Sequence, residues 1–98
     1  ITSIEPGLYR PGKWGVRIEN LVLNVPALGL QGGGEFGDFL EFETLTLCPI
    51  DTRCIDLSLL RGDERDWLNA YHQQVRSRLY RHVQGAARAW LEVRTAPV

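Results

Sequence analysis

The chain has 98 residues, begins with Ile1 and contains no methionine, which leads us to expect a processed product or a piece of a longer protein. A domain of this size buries only about 60–65% of the surface its unfolded chain exposes. With 44% hydrophobic and 23% charged residues, it is neither a disordered polyelectrolyte, nor a collagen-like fibre, nor a disulfide miniprotein.

The net charge of −1 hides an asymmetry. Residues 1–60 carry eight acids and four bases, and residues 61–98 carry four acids and seven bases. The later arginines are interleaved with acids up to Asp66, so they read as a solvated helix face. A nucleic-acid binder concentrates its basic residues in a stripe, and we expect no nucleic-acid partner. No apolar run approaches the roughly 18 residues of a membrane span, and no membrane partner is expected. Cys48 and Cys54 are the two cysteines. They are expected to be reduced, buried and structural, in a cytoplasmic protein.

In chain order, Ile1 to Glu5 is a short extended run ended by Pro6-Gly7. Pro11-Gly12 marks a tight turn, with proline suited to its second position and glycine to its third. Gly15 to Val25 is rich in β-branched and aliphatic residues, with Val16 and Ile18 alternating against Arg17 and Glu19. Residues 1–25 therefore read as a β-hairpin. Residues 27–38 hold five of the ten glycines and read as a mobile loop. Phe39 to Cys48 is a third strand, ended by Pro49. Residues 51–60 form a connector with a helical turn.

From Asp63 the period changes. Trp67, Leu68, Tyr71, Val75, Leu79 and Val83 recur at helical spacing, and acids occupy the first turn, so 63–84 is an amphipathic helix. Gly85 breaks it, and 86–94 makes a second short helix around Trp90 and Leu91. Strands first and helices last make an α+β chain: an antiparallel hairpin, a third strand and two C-terminal helices. We expect residues 1–50 and 51–98 to form separate regions.

Glu5 and Glu19 are the candidate site. A hairpin turning at Pro11-Gly12 pairs positions whose numbers add to about 23, which sets Glu5 against Ile18. A one-residue bulge at Gly7 then brings it opposite Glu19. Carboxylates that close repel unless one is protonated or a cation lies between them. Oxygen ligation of a hard divalent cation is one reading of the pair; two solvated strand residues is the other.

Other constellations are weaker. Gly32, Gly34 and Gly37 spell G-x-G-x-x-G, but a strand-like segment follows where the dinucleotide fingerprint needs a helix. His72 and His82 lie ten positions apart, on different helix faces, without zinc spacing. His72 is expected to be packed or hydrogen-bonded at the helix surface. Trp67 and Trp90 are expected in the core, and Trp14 in the hairpin loop, where a place near a substrate cleft is the lesser reading.

The segment Ser3-Ile4-Glu5-Pro6-Gly7-Leu8-Tyr9, followed by Gly15-Val16-Arg17-Ile18-Glu19-Asn20, resembles the last two metal-ligand motifs of the pita-bread metallopeptidases. Residues 42–51 and 67–72 are similar to the C-terminal extension of the long, cytosolic-type Xaa-Pro aminopeptidases. This resemblance implies a C-terminal part of the pita-bread fold: residues 1–50 in the catalytic sheet and 51–98 in a helical extension.

It also implies a reaction. The family binds two divalent cations, often manganese, through two aspartates, one histidine and two glutamates. Glu5 matches the first glutamate, a metal ligand and proton shuttle to the departing amine, and Glu19 the second, which bridges both metals. Tyr9 and Arg17 match positions that hydrogen-bond near the ligand aspartates. Two cations lower the pKa of a shared water, which attacks the scissile carbonyl. The implied substrate is a peptide with proline second.

The matching aspartates and histidine are absent from these 98 residues; Asp38, Asp51, Asp56, His72 and His82 lie outside the corresponding motifs. The chain alone is therefore expected to hold no metal pair and cleave nothing. Its expected partners are the upstream part of the same polypeptide and other copies of itself, through unpaired strand edges. The alternative is a non-catalytic interaction or dimerisation module using helix 63–84 and the Trp90 segment. Retention of Glu5, Tyr9, Arg17 and Glu19 together speaks against it.

Overall fold

The computed structural model describes residues 1–27 and 37–98. Most of the expected loop 27–38, with Gly32 and Gly34 of the glycine motif, lies outside the described residues. Contacts divide the chain into two units, Ile1–Thr46 and Leu47–Val98.

The first unit holds strands β1 (Thr2–Ile4), β2 (Gly7–Arg10), β3 (Trp14–Arg17), β4 (Asn20–Pro26) and β5 (Leu40–Thr44). β1, β4 and β5 form an antiparallel sheet in the order β1-β4-β5, and β2 pairs antiparallel with β3. The expected hairpin is present but divided, and its long second strand is split into β3 and β4. Pro6 explains the break, because it has no N–H to give to the ladder. Its carbonyl still accepts the Ile18 N–H at 3.3 Å, so the register continues across the gap.

That register differs by one from the expected one. Thr2 faces Val22, Ile4 faces Asn20, Gly7 faces Arg17 and Arg10 faces Trp14, all pairs whose numbers add to 24. Lys13 N–H closes the turn on the Arg10 carbonyl at 2.9 Å, with Gly12 at φ 72° in the left-handed region a type II turn demands of its third residue. The ladder begins only at Trp14, so three residues rather than two lie in the loop. Trp14 is thus a strand residue. β5 is also shorter than expected: it stops at Thr44, although the Leu45 and Thr46 amides still donate to the Leu21 carbonyl.

The second unit is built on α1 (Gly62–Leu79) and α2 (Gly85–Arg94). Before them, two single 3-10 turns, Thr52–Cys54 and Leu57–Leu59, fill the connector. Asp51 and Asp56 cap these turns by accepting the Arg53 and Ser58 amides. The Arg53 guanidinium and amide hold the Asp51 carboxyl well below the usual range. At the start of α1, Glu64 accepts the Arg61 N–H at 2.9 Å, which satisfies one of the donors a helix start leaves open. Asp63 and Glu64 in the first turn, with Arg76 and Arg78 in the last, complement the helix dipole.

α1 ends five residues before the expected boundary. The chain tightens into a 3-10 turn at Tyr80–His82 and then extends at Val83, where Val83 packs against the core. Gly85 adopts φ 53°, the left-handed bend that lets α2 start in a new direction. Buried Tyr71, Val75 and Leu91 centre this unit's core, with Leu47, Ile50, Leu79 and Val83 packed around them. Leu47 and Ile50 leave the strand region to join these helices, and this ends the expected third strand early. The Tyr71 hydroxyl donates to the Cys48 carbonyl at 2.7 Å, which clasps the same segment.

Two tryptophan expectations are corrected. Trp67 and Trp90 are 53% and 52% exposed. The buried stripe of α1 runs through Leu68, Tyr71, His72 and Val75, one position past Trp67, whose ring instead stacks on Tyr71 at 5.5 Å. On α2, Leu91 rather than Trp90 takes the core position. The burial expected of Cys48 and Cys54 is corrected as well, since both are exposed free thiols. Both sit in the irregular stretch between strand and helix rather than on a packed face.

His72 is fully buried rather than superficial. Its Nε2 accepts the Ile50 N–H at 3.1 Å, and its buried Nδ1 has no partner among the described residues. Nε2 can accept only when unprotonated, so the ring is neutral with its proton on Nδ1. Burial lowers the His72 pKa below its ordinary 6.5 and Arg76 adds to the lowering; the Ile50 N–H, which donates to the neutral ring, favours the same form. The unfolded chain therefore binds this proton at a higher pH than the folded one. We expect His72's contribution to be complete above about pH 6.5 and to fall as the pH drops below that. Unfolding midpoints of the chain and of His72→Gln between about pH 7.5 and 5 check this; parallel pH profiles would contradict it.

Candidate functional site

The face of the hairpin that carries the sequence motif is defined by strand alternation. Ser3, Glu5, Gly7 and Tyr9 are spaced by two, so in extended chain they share one side. The observed register sets Ser3 opposite Leu21, Gly7 opposite Arg17 and Tyr9 opposite Gly15. Carried through Pro6 and Ile18, the same register sets Glu5 directly across from Glu19. The bulge expected at Gly7 is not needed, because the longer turn supplies the missing residue.

Arg17 stands between the two carboxylates. Its Nη2 donates to Glu19 Oε2 at 2.9 Å, and its Nη1 lies 3.7 Å from Glu5 Oε2. Glu19 foremost, then Tyr9 and Glu5, raise the Arg17 pKa above its ordinary value. The cationic group therefore meets the repulsion expected between opposed carboxylates. All three side chains are about half exposed. Sequence reasoning missed one contact: Ser3 Oγ donates to Glu5 Oε1 at 2.5 Å. The i, i+2 spacing of Ser3 and Glu5 on a strand carries that signal.

Tyr9 explains the two glycines of the motif. Its ring lies so close to Gly7 and Gly15 that a Cβ on Gly7 would meet its hydroxyl oxygen at 2.6 Å. A Cβ on Gly15 would meet its Cδ1 at 2.6 Å. The glycines thus form a bed for the ring. Ring carbons Cε2 and Cζ would also lie within 2.9 Å of a Gly7 Cβ, and Cδ1 beside Gly15 adjoins the ring's root, so neither glycine accepts a Cβ without a new Tyr9 rotamer. Gly15→Ala should cost about 1–3 kcal/mol, the usual range for overpacking. Gly62→Ala, at an open position, should be neutral or better. Thermal unfolding of the two variants checks this.

The donor chemistry suits a hard divalent cation, which prefers carboxylate oxygen. The donor number does not suffice, because such an ion takes roughly six ligands. Among the described residues no group of three or more histidine, cysteine, aspartate or glutamate side chains is placed to hold a metal. No described helix is long and apolar enough to cross a membrane.

Comparison with known proteins agrees with these motifs. The chain is 44% identical over 100 residues to a probable Xaa-Pro aminopeptidase P from Coprinopsis cinerea, a match that covers 98% of this chain and 16% of that protein. It is 42% identical over 95 residues to an aminopeptidase P1 from Lotus japonicus, covering 96% of this chain and 14% of the relative. Its fold matches an X-prolyl aminopeptidase from Caenorhabditis elegans with a TM-score of 0.82 and 38% identity. That match covers 98% of this chain and 16% of the other, which is described as a cytosolic enzyme with a di-nuclear active site. The chain thus spans about one sixth of the length of such relatives. Residues 38–98, more than half of the chain, match the family described as the C-terminal region of peptidase M24, and the chain belongs to that family.

Proposed function

We propose that the chain is the carboxyl-terminal part of a metallo-aminopeptidase that removes the first residue from peptides with proline second. In this reading residues 1–50 are strands of the catalytic domain and residues 51–98 its helical extension. The observation that carries it is the placing of Glu5, Tyr9, Arg17 and Glu19 on one face of a hairpin, with the carboxylates opposed across Arg17. An interaction module has no need of that set.

Glu5 and Glu19 are assigned as two ligands of a dinuclear centre, with manganese as the ions, and the other ligands come from polypeptide outside these residues. The metal pair, when bound, supplies an activated water. Glu5 also passes a proton to the departing amine, while Arg17 and Tyr9 keep the ligand groups in place. We assign the protein to the cytoplasm, as the nematode enzyme is described.

The test is cleavage of an Xaa-Pro peptide in the presence of manganese. The full-length polypeptide that carries this segment should cleave it, and purified 1–98 should not. Activity in 1–98 would overturn the assignment of missing ligands; inactivity of the metal-loaded full-length protein would overturn the reaction. The chain alone is also expected to self-associate through unpaired strand edges. A concentration-independent monomer in sedimentation would contradict that.

A further inference from the structure

The two carboxylates of the hairpin are held by different donors, and the difference divides their four oxygens. Arg17 hydrogen-bonds Glu19 Oε2 at 2.9 Å, but its 3.7 Å approach to Glu5 Oε2 is too long for a hydrogen bond. Glu5 is instead held by Ser3, whose hydroxyl reaches Oε1. Each glutamate therefore has one oxygen fixed by hydrogen bonding to a neighbour two residues away on its own chain segment. Glu5 Oε2 and Glu19 Oε1 remain without a hydrogen bond among the described residues.

We propose that Ser3 is a positioning residue for Glu5, a neutral pin that fixes Oε1 and leaves Oε2 to meet a divalent cation. This rests on the reading of Glu5 and Glu19 as metal ligands. The neutrality of the pin matters. Arg17 Nη1 already lies 3.7 Å from Glu5 Oε2; a second arginine would hold the carboxylate equally well, but it would add a further positive charge where the cation has to sit. A hydroxyl holds the same oxygen by one donated proton and leaves the carboxylate charge intact. A half-exposed glutamate with three rotatable bonds otherwise loses that freedom only when the metal binds, and the loss weakens binding. Ser3 removes part of it beforehand, because β1 pairing with β4 fixes Ser3 opposite Leu21.

The experiment is a manganese titration by calorimetry on the full-length polypeptide, with Ser3→Ala, Ser3→Thr and Glu5→Gln variants, together with kcat and KM on an Xaa-Pro peptide. Ser3→Ala should weaken manganese binding by about 10-fold, the scale for a lost group behind a metal ligand. It should lower kcat with KM little changed and leave the unfolding temperature of the metal-free protein where it was. Ser3→Thr keeps the hydroxyl on a residue suited to a strand and should restore the affinity. Glu5→Gln should lose more than Ser3→Ala. Unchanged affinity in Ser3→Ala beside a loss in Glu5→Gln would overturn the role of Ser3 alone. Equal weakening in Ser3→Ala and Ser3→Thr would make the effect steric and overturn it too. Unchanged affinity in Glu5→Gln would overturn the ligand reading beneath it.

Discussion

Leu91→Ala should lower the stability of the helical unit by about 2–5 kcal/mol, the range for truncating a buried leucine where the surroundings only partly collapse. Leu91 is 3% exposed and is the α2 member of a buried trio with Tyr71 and Val75 of α1. The upper part of the range is expected because α2 buries no other large apolar side chain. Its other large apolar residues, Trp90 and Val93, are 52% and 70% exposed. The polar ties of this region run from Arg76 to Thr95 Oγ1 at 2.8 Å and to the Glu92 carbonyl, and from Arg88 to the Val83 carbonyl at 3.0 Å and the face of the Tyr80 ring. A unit spanning residues 47–98 has a total stability of order 3–8 kcal/mol, so a loss of this size removes much of it. Urea unfolding followed by tryptophan fluorescence measures the effect. A midpoint close to that of the unsubstituted chain would show that Leu91 is not the tie between the helices.

The helices were legible because periodicity and punctuation agreed. Acids at 63–64, an apolar stripe through Leu68, Tyr71 and Val75, and Gly85 as a breaker all point to the observed elements. What periodicity cannot show is the phase of the buried stripe when aromatic residues adjoin it. Trp67 and Leu68 both fit a helical repeat, and only the packed fold, which buries Leu68 and leaves Trp67 half exposed, decides between them. His72 was expected to be packed or hydrogen-bonded, as it is, but its full burial escaped for the same reason. A histidine can take a fully buried position only if an acceptor or donor waits there, and the Ile50 amide that fills this role lies 22 residues away.

The hairpin shows a different limit. Its turn residues, Pro11 and Gly12, took the expected positions, yet the loop is one residue longer than the turn. Because side chains alternate with a period of two, a one-residue error in register would move every partner to the other face. The opposition of Glu5 and Glu19 was reached only by adding a bulge that the structure lacks. The motif residues pointed to the right pair, and local turn geometry supplied the wrong path to it. Ser3 was overlooked because a serine two positions from a glutamate is common in any strand, and only the observed side-chain geometry separates this one.

Glu19→Gln should have the opposite profile to Leu91→Ala: a large effect on the reaction and almost none on folding. Glu19 is half exposed, and its one strong contact among the described residues is the ion pair with Arg17, a class of interaction that contributes little at a surface. Removing its charge also removes repulsion with Glu5 across the ladder, so the unfolding midpoint of 1–98 should stay where it is. In the full-length polypeptide the neutral amide keeps the shape but takes away the charge with which, under the proposed function, Glu19 would hold a metal ion. The loss in Xaa-Pro cleavage should then exceed the roughly 100-fold that marks the upper range for residues behind the ligands. Glu41→Gln and Glu43→Gln on β5 serve as controls, since they remove equal charge away from the motif and should leave cleavage intact. A residue built for stability loses folding and function together. Glu19 is identified as a residue built for chemistry only if cleavage collapses while the midpoint stands, and near-normal cleavage in Glu19→Gln would remove the metal-ligand assignment.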